Sequence, residues 1–159
     1  MNTTTQVQGL ALVEGRYQIQ GVDVQQLCET YGTPLYVYDA AVIRRKYESM
    51  QEAFKGLKCQ IKYPAKALGN LSILKWMKQL GAGLDTVSLQ EVHLGLRAGF
   101  SPEEIIFTPN CVSFEEFKAA VVLWVGINID IISILEQFGH EYGDIVPCFI
   151  RFNPHIFAG

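Results

Sequence analysis

From residue 57 onward, short apolar segments alternate with longer segments whose apolar residues recur at helical spacing. The short segments have the length of buried strands, and they are LKCQIKY, GLDTV, EIIFTPN, GINID and DIVPCFIRFNP. The helical segments begin at Asn70, at Ser88, at Ser113 and at SILEQFGH. Strands that alternate with helices at this spacing build parallel sheets from right-handed βαβ units. The pattern therefore predicts an α/β fold.

The pattern is less regular at the amino terminus. ALVEGRYQIQGV predicts a short hairpin, VDVQQLCETYG predicts a helix that ends at Gly32, and LYVYD predicts a strand. Asp39 is a suitable cap for a helix over residues 40–55, because its carboxylate can accept hydrogen bonds from the first free amides.

Two of the predicted helices begin with a capping box, in which a serine accepts from the amide three residues on and a glutamate reaches back. The pairs are Ser88 with Glu91 and Ser113 with Glu116. Glu91 also lies near the end of a predicted strand, where functional groups collect in parallel sheets. For Glu91 the capping role is the favoured interpretation.

Two architectures accommodate this order of elements. A doubly wound open sheet of about five strands would be complete within 159 residues. A (β/α)8 barrel needs roughly 250 residues. Length alone favours the open sheet, whereas the chemistry at the strand ends favours the barrel.

Composition narrows the classes of partner. The net charge is −3 and no basic run stands out, which disfavours a nucleic-acid or anionic-membrane partner. The most apolar run, AAVVLWVGINIDIISIL, is too short and too polar to span a bilayer. The four cysteines form no CxxC pair and no signal peptide precedes them, so we expect reduced thiols in a cytoplasmic protein.

The most informative candidate is Lys66, which follows the strand LKCQIKY and Pro64. A surface lysine at a loop is the commoner case. A lysine that forms a Schiff base needs a neutral amine, and burial at a strand end would favour it. If the strand ran unbroken, Lys62, Pro64 and Lys66 would share one face. Either Pro64 breaks that alternation or Lys62 lies near the lower end of the strand.

Other ionisable groups near strand ends are Asp85, in GLDTVS, and Arg151, in CFIRFNP. Asp85 is equally consistent with a structural role in a turn and with a role in a functional site. Arg151 follows an apolar run, so it must be paired or reach a cleft, which favours a site role. No histidine has metal-ligand spacing with a cysteine or a carboxylate, so no metal site is predicted. GxGxxG, P-loop and GxSxG motifs are absent from the sequence.

The segment KYPAKAL, residues 62–68, resembles the KYAxKAN signature of pyridoxal-phosphate enzymes with the alanine-racemase-type barrel. The similarity continues through LSILKWMKQLGAGLDTVSLQEVHLGLRAGFSPEEIIFTPN, GINIDIISILEQFG and PCFIRFNPHIFAG. Over residues 33–159 the chain is similar to the diaminopimelate decarboxylases within that group.

The resemblance implies a cofactor and a reaction. Lys66 would hold pyridoxal 5'-phosphate covalently, Asp85 would lie close to that lysine, and Arg151 would lie near the cofactor ring. The implied reaction is the decarboxylation of meso-diaminopimelate to L-lysine. Pro64 and Leu68 replace the alanine and the asparagine of the signature, so the backbone beside the lysine is set differently.

The resemblance also implies an architecture. Residues 39–159 would form about five of the eight βα units of a (β/α)8 barrel, and residues 1–38 would belong to a β-domain that the chain does not contain. The phosphate loop and the substrate-binding residues of the group lie in the remaining units. We therefore expect the isolated chain to be inactive, and the full-length protein to be a cytoplasmic homodimer that binds an amino-acid substrate.

Three alternatives remain open at this stage. The first is another enzyme of the same barrel, such as an ornithine- or arginine-type decarboxylase or an amino-acid racemase. The second is a non-catalytic pyridoxal-phosphate carrier, although the segment from LALVEGRYQIQGV to LYVYD disfavours it. The third is an open-sheet binding domain without a cofactor, in which Lys66 is incidental.

Overall fold

The computed structural model describes residues 9–152. The chain divides between Lys58 and Cys59 into two units, which span residues 1–58 and 59–159. The assignment of residues 1–38 to a β-domain and of residues 39–159 to a barrel stays a prediction. Within residues 9–152, every helix is too short or too polar to cross a membrane.

The first unit begins with a small antiparallel sheet whose strands are β1 (Leu10–Val13), β2 (Arg16–Ile19) and β3 (Val22–Asp23). The turns between them contain Gly15 and Gly21, both in the left-handed region that glycine adopts without strain. Two helices follow, α1 (Val24–Tyr31) and α2 (Ala40–Ala53). The predicted hairpin, the helix that ends at Gly32 and the helix after Asp39 are confirmed.

The caps explain where these two helices begin. The carboxylate of Asp39 accepts hydrogen bonds from the amides of Ala41, at 2.8 Å, and Val42, at 3.1 Å. Asp23 caps α1 in the same way. The strand predicted for LYVYD is wrong: residues 35–39 have no regular structure, and they pair with no strand among residues 9–152. An apolar run without a neighbouring strand has no ladder to join.

The second unit alternates strands with helices, as predicted. Its elements are β4 (Lys62–Pro64), α3 (Leu71–Gln79), β5 (Gly83–Thr86), α4 (Leu89–Ala98), β6 (Ile105–Phe107), α5 (Phe114–Val122), β7 (Gly126–Ile129), α6 (Ile132–Tyr142) and β8 (Cys148–Ile150). Short 3-10 turns occupy Ala65–Ala67 and Pro102–Glu104. The last residues of the predicted segment DIVPCFIRFNP, 153 and 154, lie outside the described residues.

The five strands form one parallel sheet in the order β4-β5-β6-β7-β8, which is also their order along the chain. A doubly wound sheet reverses its strand order at a switch point, whereas a barrel does not. The sequential order therefore identifies the unit as part of a (β/α)8 barrel, and the open sheet that length alone favoured is excluded.

Side chains on the two faces of this sheet have different surroundings. On one face Leu84, Ile105, Phe107, Ile127 and Ile129 are at most 1% exposed and pack with the buried sides of the helices. Burying one such side chain contributes about 1.5–3 kcal/mol. The opposite face carries the alternate residues, and its polar members Lys62, Asp85 and Asn128 are only partly buried. Its polar members are therefore available to a ligand.

The predicted capping boxes both form, one of them with a shifted partner. The hydroxyl of Ser88 accepts from the amide of Glu91 at 3.2 Å, while the Glu91 carboxylate accepts from the amide of Val87 at 2.8 Å instead of that of Ser88. The amide of Ser113 donates to the Glu116 carboxylate at 3.2 Å. Glu91 thus has the structural role that the sequence favoured.

Two helical glycines provide a matched test of this packing. Gly95, in α4, lies where the helix contacts the sheet: a Cβ there would come within 2.4 Å of Leu84 Cδ2 and 3.1 Å of Ile105 Cδ1. We expect Gly95→Ala to lower the free energy of unfolding by about 1–3 kcal/mol, because both neighbours are buried and cannot move away. Urea unfolding of the chain measures the change.

The control is Gly139→Ala in α6, where a Cβ would meet no atom within 4 Å. We expect this variant to gain about 0.5–1 kcal/mol from the helix propensity of alanine. A Gly95→Ala chain that is as stable as the Gly139→Ala chain would contradict the described contact between α4 and the sheet.

Candidate active site

A cavity of about 430 Å³ opens on the partly buried face of the sheet, toward the carboxyl ends of the strands. Its lining consists of Lys62, Lys66, Asp85, Val87, Ile106, Thr108, Asn110, Asn128 and Arg151. Three of these, Lys66, Asp85 and Arg151, are candidates from the sequence, and the fold brings them to one cavity. Glu91 is not among the lining residues.

Lys66 lies in the 3-10 turn that follows Pro64, between the strand β4 and the helix α3. Pro64 ends the strand, so Lys66 is displaced from the alternation that would have placed it directly above Lys62. Ala65 is 1% exposed and fixes the turn against the core, while Lys66 itself is exposed. Of the two alternatives for this side chain, an exposed lysine on a turn is the one observed, rather than a lysine buried at the strand end.

Asp85 is held on the cavity face by its neighbours in β5. Leu84 and Thr86 are fully buried on the other face, and Asp85 pairs in register with Pro64 on β4. Its Oδ1 atom is buried and has no hydrogen-bond partner within residues 9–152. A buried carboxylate oxygen without a donor costs free energy, so this atom is suited to a ligand that brings one.

Asn128 has the same character in β7, where it alternates with the buried Ile127 and Ile129. Its amide nitrogen donates to the Thr108 hydroxyl at 3.4 Å, while its Oδ1 is buried and unpaired in the part of the chain that the structure describes. The sequence reasoning missed Asn128, Thr108 and Asn110. A polar residue between two isoleucines in GINID was the signal that could have identified Asn128.

Arg151 follows β8, and its backbone amide donates to the Ile129 carbonyl at 2.8 Å. This bond extends the pairing of β7 with β8 and fixes the main chain of Arg151 at the edge of the cavity. Arg151 is exposed and lines the cavity, which agrees with the alternative that its side chain reaches a cleft. It also lines a neighbouring cavity of about 540 Å³ that contains Asp130.

Lys62 lies on the cavity face at the opposite end of the strand, in register with Gly83. Its Nζ donates to the Glu104 carbonyl at 2.9 Å and to the Gln60 side chain at 3.1 Å. Burial lowers the pKa of Lys62, and attraction to Glu104 and Asp85 offsets part of that effect. Both explanations offered for this lysine are therefore correct: Pro64 ends the alternation, and Lys62 lies toward the amino-terminal end of the strand.

The cavity combines three cationic side chains, Lys62, Lys66 and Arg151, with two unpaired buried acceptors. Its volume lies within the range of small-molecule sites. A primary amine beside cations suits an anionic ligand that carries a carbonyl group, since the amine can attack the carbonyl and the cations attract the anion. Within residues 9–152, no group of three His, Cys, Asp or Glu side chains could hold a metal ion.

The chain is similar to known proteins in sequence and in structure. The sequence profile of the family described as "Pyridoxal-dependent decarboxylase, pyridoxal binding domain" matches residues 40–159. The chain is 37% identical over 150 residues to the diaminopimelate decarboxylase of Bacillus subtilis, which covers 91% of this chain and 34% of that protein. The chain spans about a third of the length of the curated relatives it matches.

Solved structures agree with the sequence relatives. The crystal structure of diaminopimelate decarboxylase from M. jannaschii matches with a TM-score of 0.83 at 30% identity, over 94% of this chain and 37% of that one. The Helicobacter pylori diaminopimelate decarboxylase complexed with L-lysine matches with a TM-score of 0.74 at 34% identity, over 83% of this chain and 34% of that one. The expected family and the partial barrel are confirmed: the chain belongs to the pyridoxal-dependent decarboxylases, and its residues 40–159 match their pyridoxal-binding domain.

Proposed function

We propose that the chain is part of a carboxy-lyase that uses pyridoxal 5'-phosphate to convert meso-diaminopimelate to L-lysine and carbon dioxide. The observation that carries the proposal is the convergence of Lys66, Asp85 and Arg151 on one cavity, in a chain whose family takes this cofactor. The cavity fits the group, because it offers an amine, further cations and unpaired acceptors.

Lys66 is the proposed attachment residue. Its side chain lies on an exposed turn and lines the cavity, so an aldehyde-bearing ligand can reach its amine. When bound, pyridoxal phosphate would supply an electron sink for the pair left by the departing carbon dioxide. The same amine would hold the proton that replaces the lost carboxyl group.

The proposed role of Asp85 is to hold a positive group beside Lys66. Its Oδ1 accepts no hydrogen bond among residues 9–152, so a protonated nitrogen in the cavity would relieve an existing cost. Arg151 brings positive charge and up to five donors to the same cavity from the end of β8. There it would attract an anionic group of the cofactor or substrate. Asn128 offers a second acceptor between them.

The substrate is the finer part of the proposal. Support comes from the names of the relatives, which are diaminopimelate decarboxylases from several organisms, and from the L-lysine bound to the Helicobacter pylori protein. An ornithine- or arginine-type decarboxylase and an amino-acid racemase are the competing activities. A panel of these amino acids, assayed with the protein expressed from its natural gene, distinguishes them through carbon dioxide release and through inversion of configuration.

Three further expectations from the sequence stay predictions. They are the inactivity of the isolated 159-residue chain, the homodimeric state of the full-length enzyme and its cytoplasmic location. The described cysteines are all free, which agrees with a reducing compartment.

Replacing Lys66 tests the attachment residue. In the protein expressed from its natural gene, we expect Lys66→Ala to reduce carbon dioxide release from meso-diaminopimelate by at least about 100-fold, because the variant loses both the cofactor link and a positioned proton donor. The matched control is Lys75→Ala, which removes another exposed lysine from α3 and leaves the rate unchanged. A Lys66→Ala protein that retains the wild-type rate would contradict the proposal.

Replacing Arg151 tests the cationic side of the cavity. We expect Arg151→Gln to weaken the binding of pyridoxal phosphate by about tenfold or more, since a charge-assisted contact contributes about 1.5–3 kcal/mol. Equilibrium dialysis gives the dissociation constant, and Arg97→Gln, at the exposed end of α4, is the control. Equal affinities of the two variants would remove Arg151 from the proposed site.

A further inference from the structure

Lys62 is a lysine of the cavity that the proposed reaction does not use. Its side chain starts on β4, crosses β5 and ends at the carbonyl of Glu104, which lies 42 residues away in the chain just before β6. A half-buried ammonium loses hydration, so it persists only where hydrogen bonds and opposite charges compensate. A side chain that spans three neighbouring strands also fixes where its charge lies.

Gly83 makes this crossing possible. A Cβ at position 83 would lie 3.0 Å from both Cγ and Nζ of Lys62, and 2.9 Å from the Glu104 carbonyl oxygen. The Lys62 side chain therefore lies directly against the bare backbone of β5, in the space that any other residue at position 83 would fill. The position of the Lys62 side chain therefore depends on the glycine at position 83.

The acceptor at the far end is itself held in place. The Glu104 side chain accepts hydrogen bonds from Lys78 on α3 and, at 2.8 Å, from the amide of Ser101, and these contacts lower the pKa of Glu104. They anchor the 3-10 turn whose last carbonyl binds Lys62. The ammonium of Lys62 is thus attached at a fixed point below the cavity.

Asp85 is the next residue toward the cavity on the same face of β5, two pairs above Gly83 in the register with β4. Its charge attracts Lys62, and its Oδ1 has no hydrogen-bond donor within residues 9–152. The other charged groups that face this region are Glu104 below the cavity, Lys66 at its mouth and Arg151 at its far edge. The neighbouring positions of β6 and β7 on this face, Ile106 and Asn128, are uncharged.

We propose that Lys62 is a positioning residue for Asp85: its ammonium, fixed across Gly83 on the Glu104 carbonyl, supplies the counter-charge that compensates the half-buried Asp85 carboxylate and holds it on the cavity face of β5. This inference rests on the proposed function, because it assigns Lys62 a role at the proposed cofactor site. Lys62 acts through Asp85 and makes no covalent link itself, since two of its three donors are bound by Glu104 and Gln60.

A double-mutant cycle on the protein expressed from its natural gene tests the coupling, with pyridoxal phosphate as the probe. We expect Lys62→Met, which keeps the aliphatic stem and removes the charge, to weaken binding about fivefold to tenfold when Asp85 is present. In the Asp85→Asn background the same substitution should change affinity by less than about twofold, because no carboxylate charge remains for Lys62 to compensate. Lys75→Met is the matched control in both backgrounds.

The outcomes separate this inference from the proposed function. If the wild-type protein fails to bind pyridoxal phosphate, or Lys66→Ala binds it equally well, the proposed function fails. If the wild type binds through Lys66 but Lys62→Met weakens binding equally in both backgrounds, Lys62 has only a structural role and the inference is overturned.

A second measurement keeps Lys62 and therefore does not depend on the folding of the Lys62→Met variant. Competitive acetylation with peptide mass spectrometry reports the pH at which Lys62 loses its proton. Because the Asp85 charge raises the pKa of Lys62, Asp85→Asn should move the labelling midpoint of Lys62 to lower pH, while that of Lys75 stays in place. An unchanged midpoint for Lys62 would show that the two groups are not coupled and would overturn the inference.

Discussion

Side chains alternate between the two faces of every parallel strand in the second unit, and the helices pack against one of those faces. The apolar positions of the strands are almost fully buried on the helix face. Because the period of a strand is two residues, the positions between them are forced onto the other face. The hydrophobic core thus determines where Lys62, Asp85 and Asn128 lie. The polar cavity is a consequence of the same alternation that builds the core.

The parallel direction of the strands adds the second condition for a site. All carboxyl ends lie at one edge of the sheet, so residues that follow different strands meet there although they are far apart in sequence. Lys66 follows β4 and Arg151 follows β8, and both reach the cavity that Asp85 lines from β5. The two cavity-facing lysines differ in kind. Lys66 is exposed on a turn, whereas Lys62 is held by Glu104 and Gln60 toward the amino-terminal end of the strands.

The sequence predicted those features that depend on local pattern. The order of strands and helices follows from periodicity, and helices begin at Asp39 and Ser88 because those residues cap them. It failed where a feature depends on distant neighbours. The LYVYD segment has strand propensity but no partner strand among residues 9–152. The choice between open sheet and barrel required the strand order, which no single segment contains.

Among the site residues, the sequence found those marked by a motif or by their place after a strand. Asn128 was missed because one polar residue between two isoleucines is a weak signal until the sheet shows which face it occupies. The position of the Lys62 side chain across β5 could not be predicted for a similar reason. It depends on Gly83, whose missing side chain matters only because β4 and β6 flank it.

The central claim is that one particular amine of this cavity, Nζ of Lys66, carries the cofactor. Borohydride reduction of the protein expressed from its natural gene, after loading with pyridoxal phosphate, fixes the cofactor to whichever amine holds it, and peptide mass mapping locates the tag. The account predicts a single tag on the peptide that contains Lys66. A tag on Lys62 or on another lysine, or the absence of any tag from loaded protein, would contradict it.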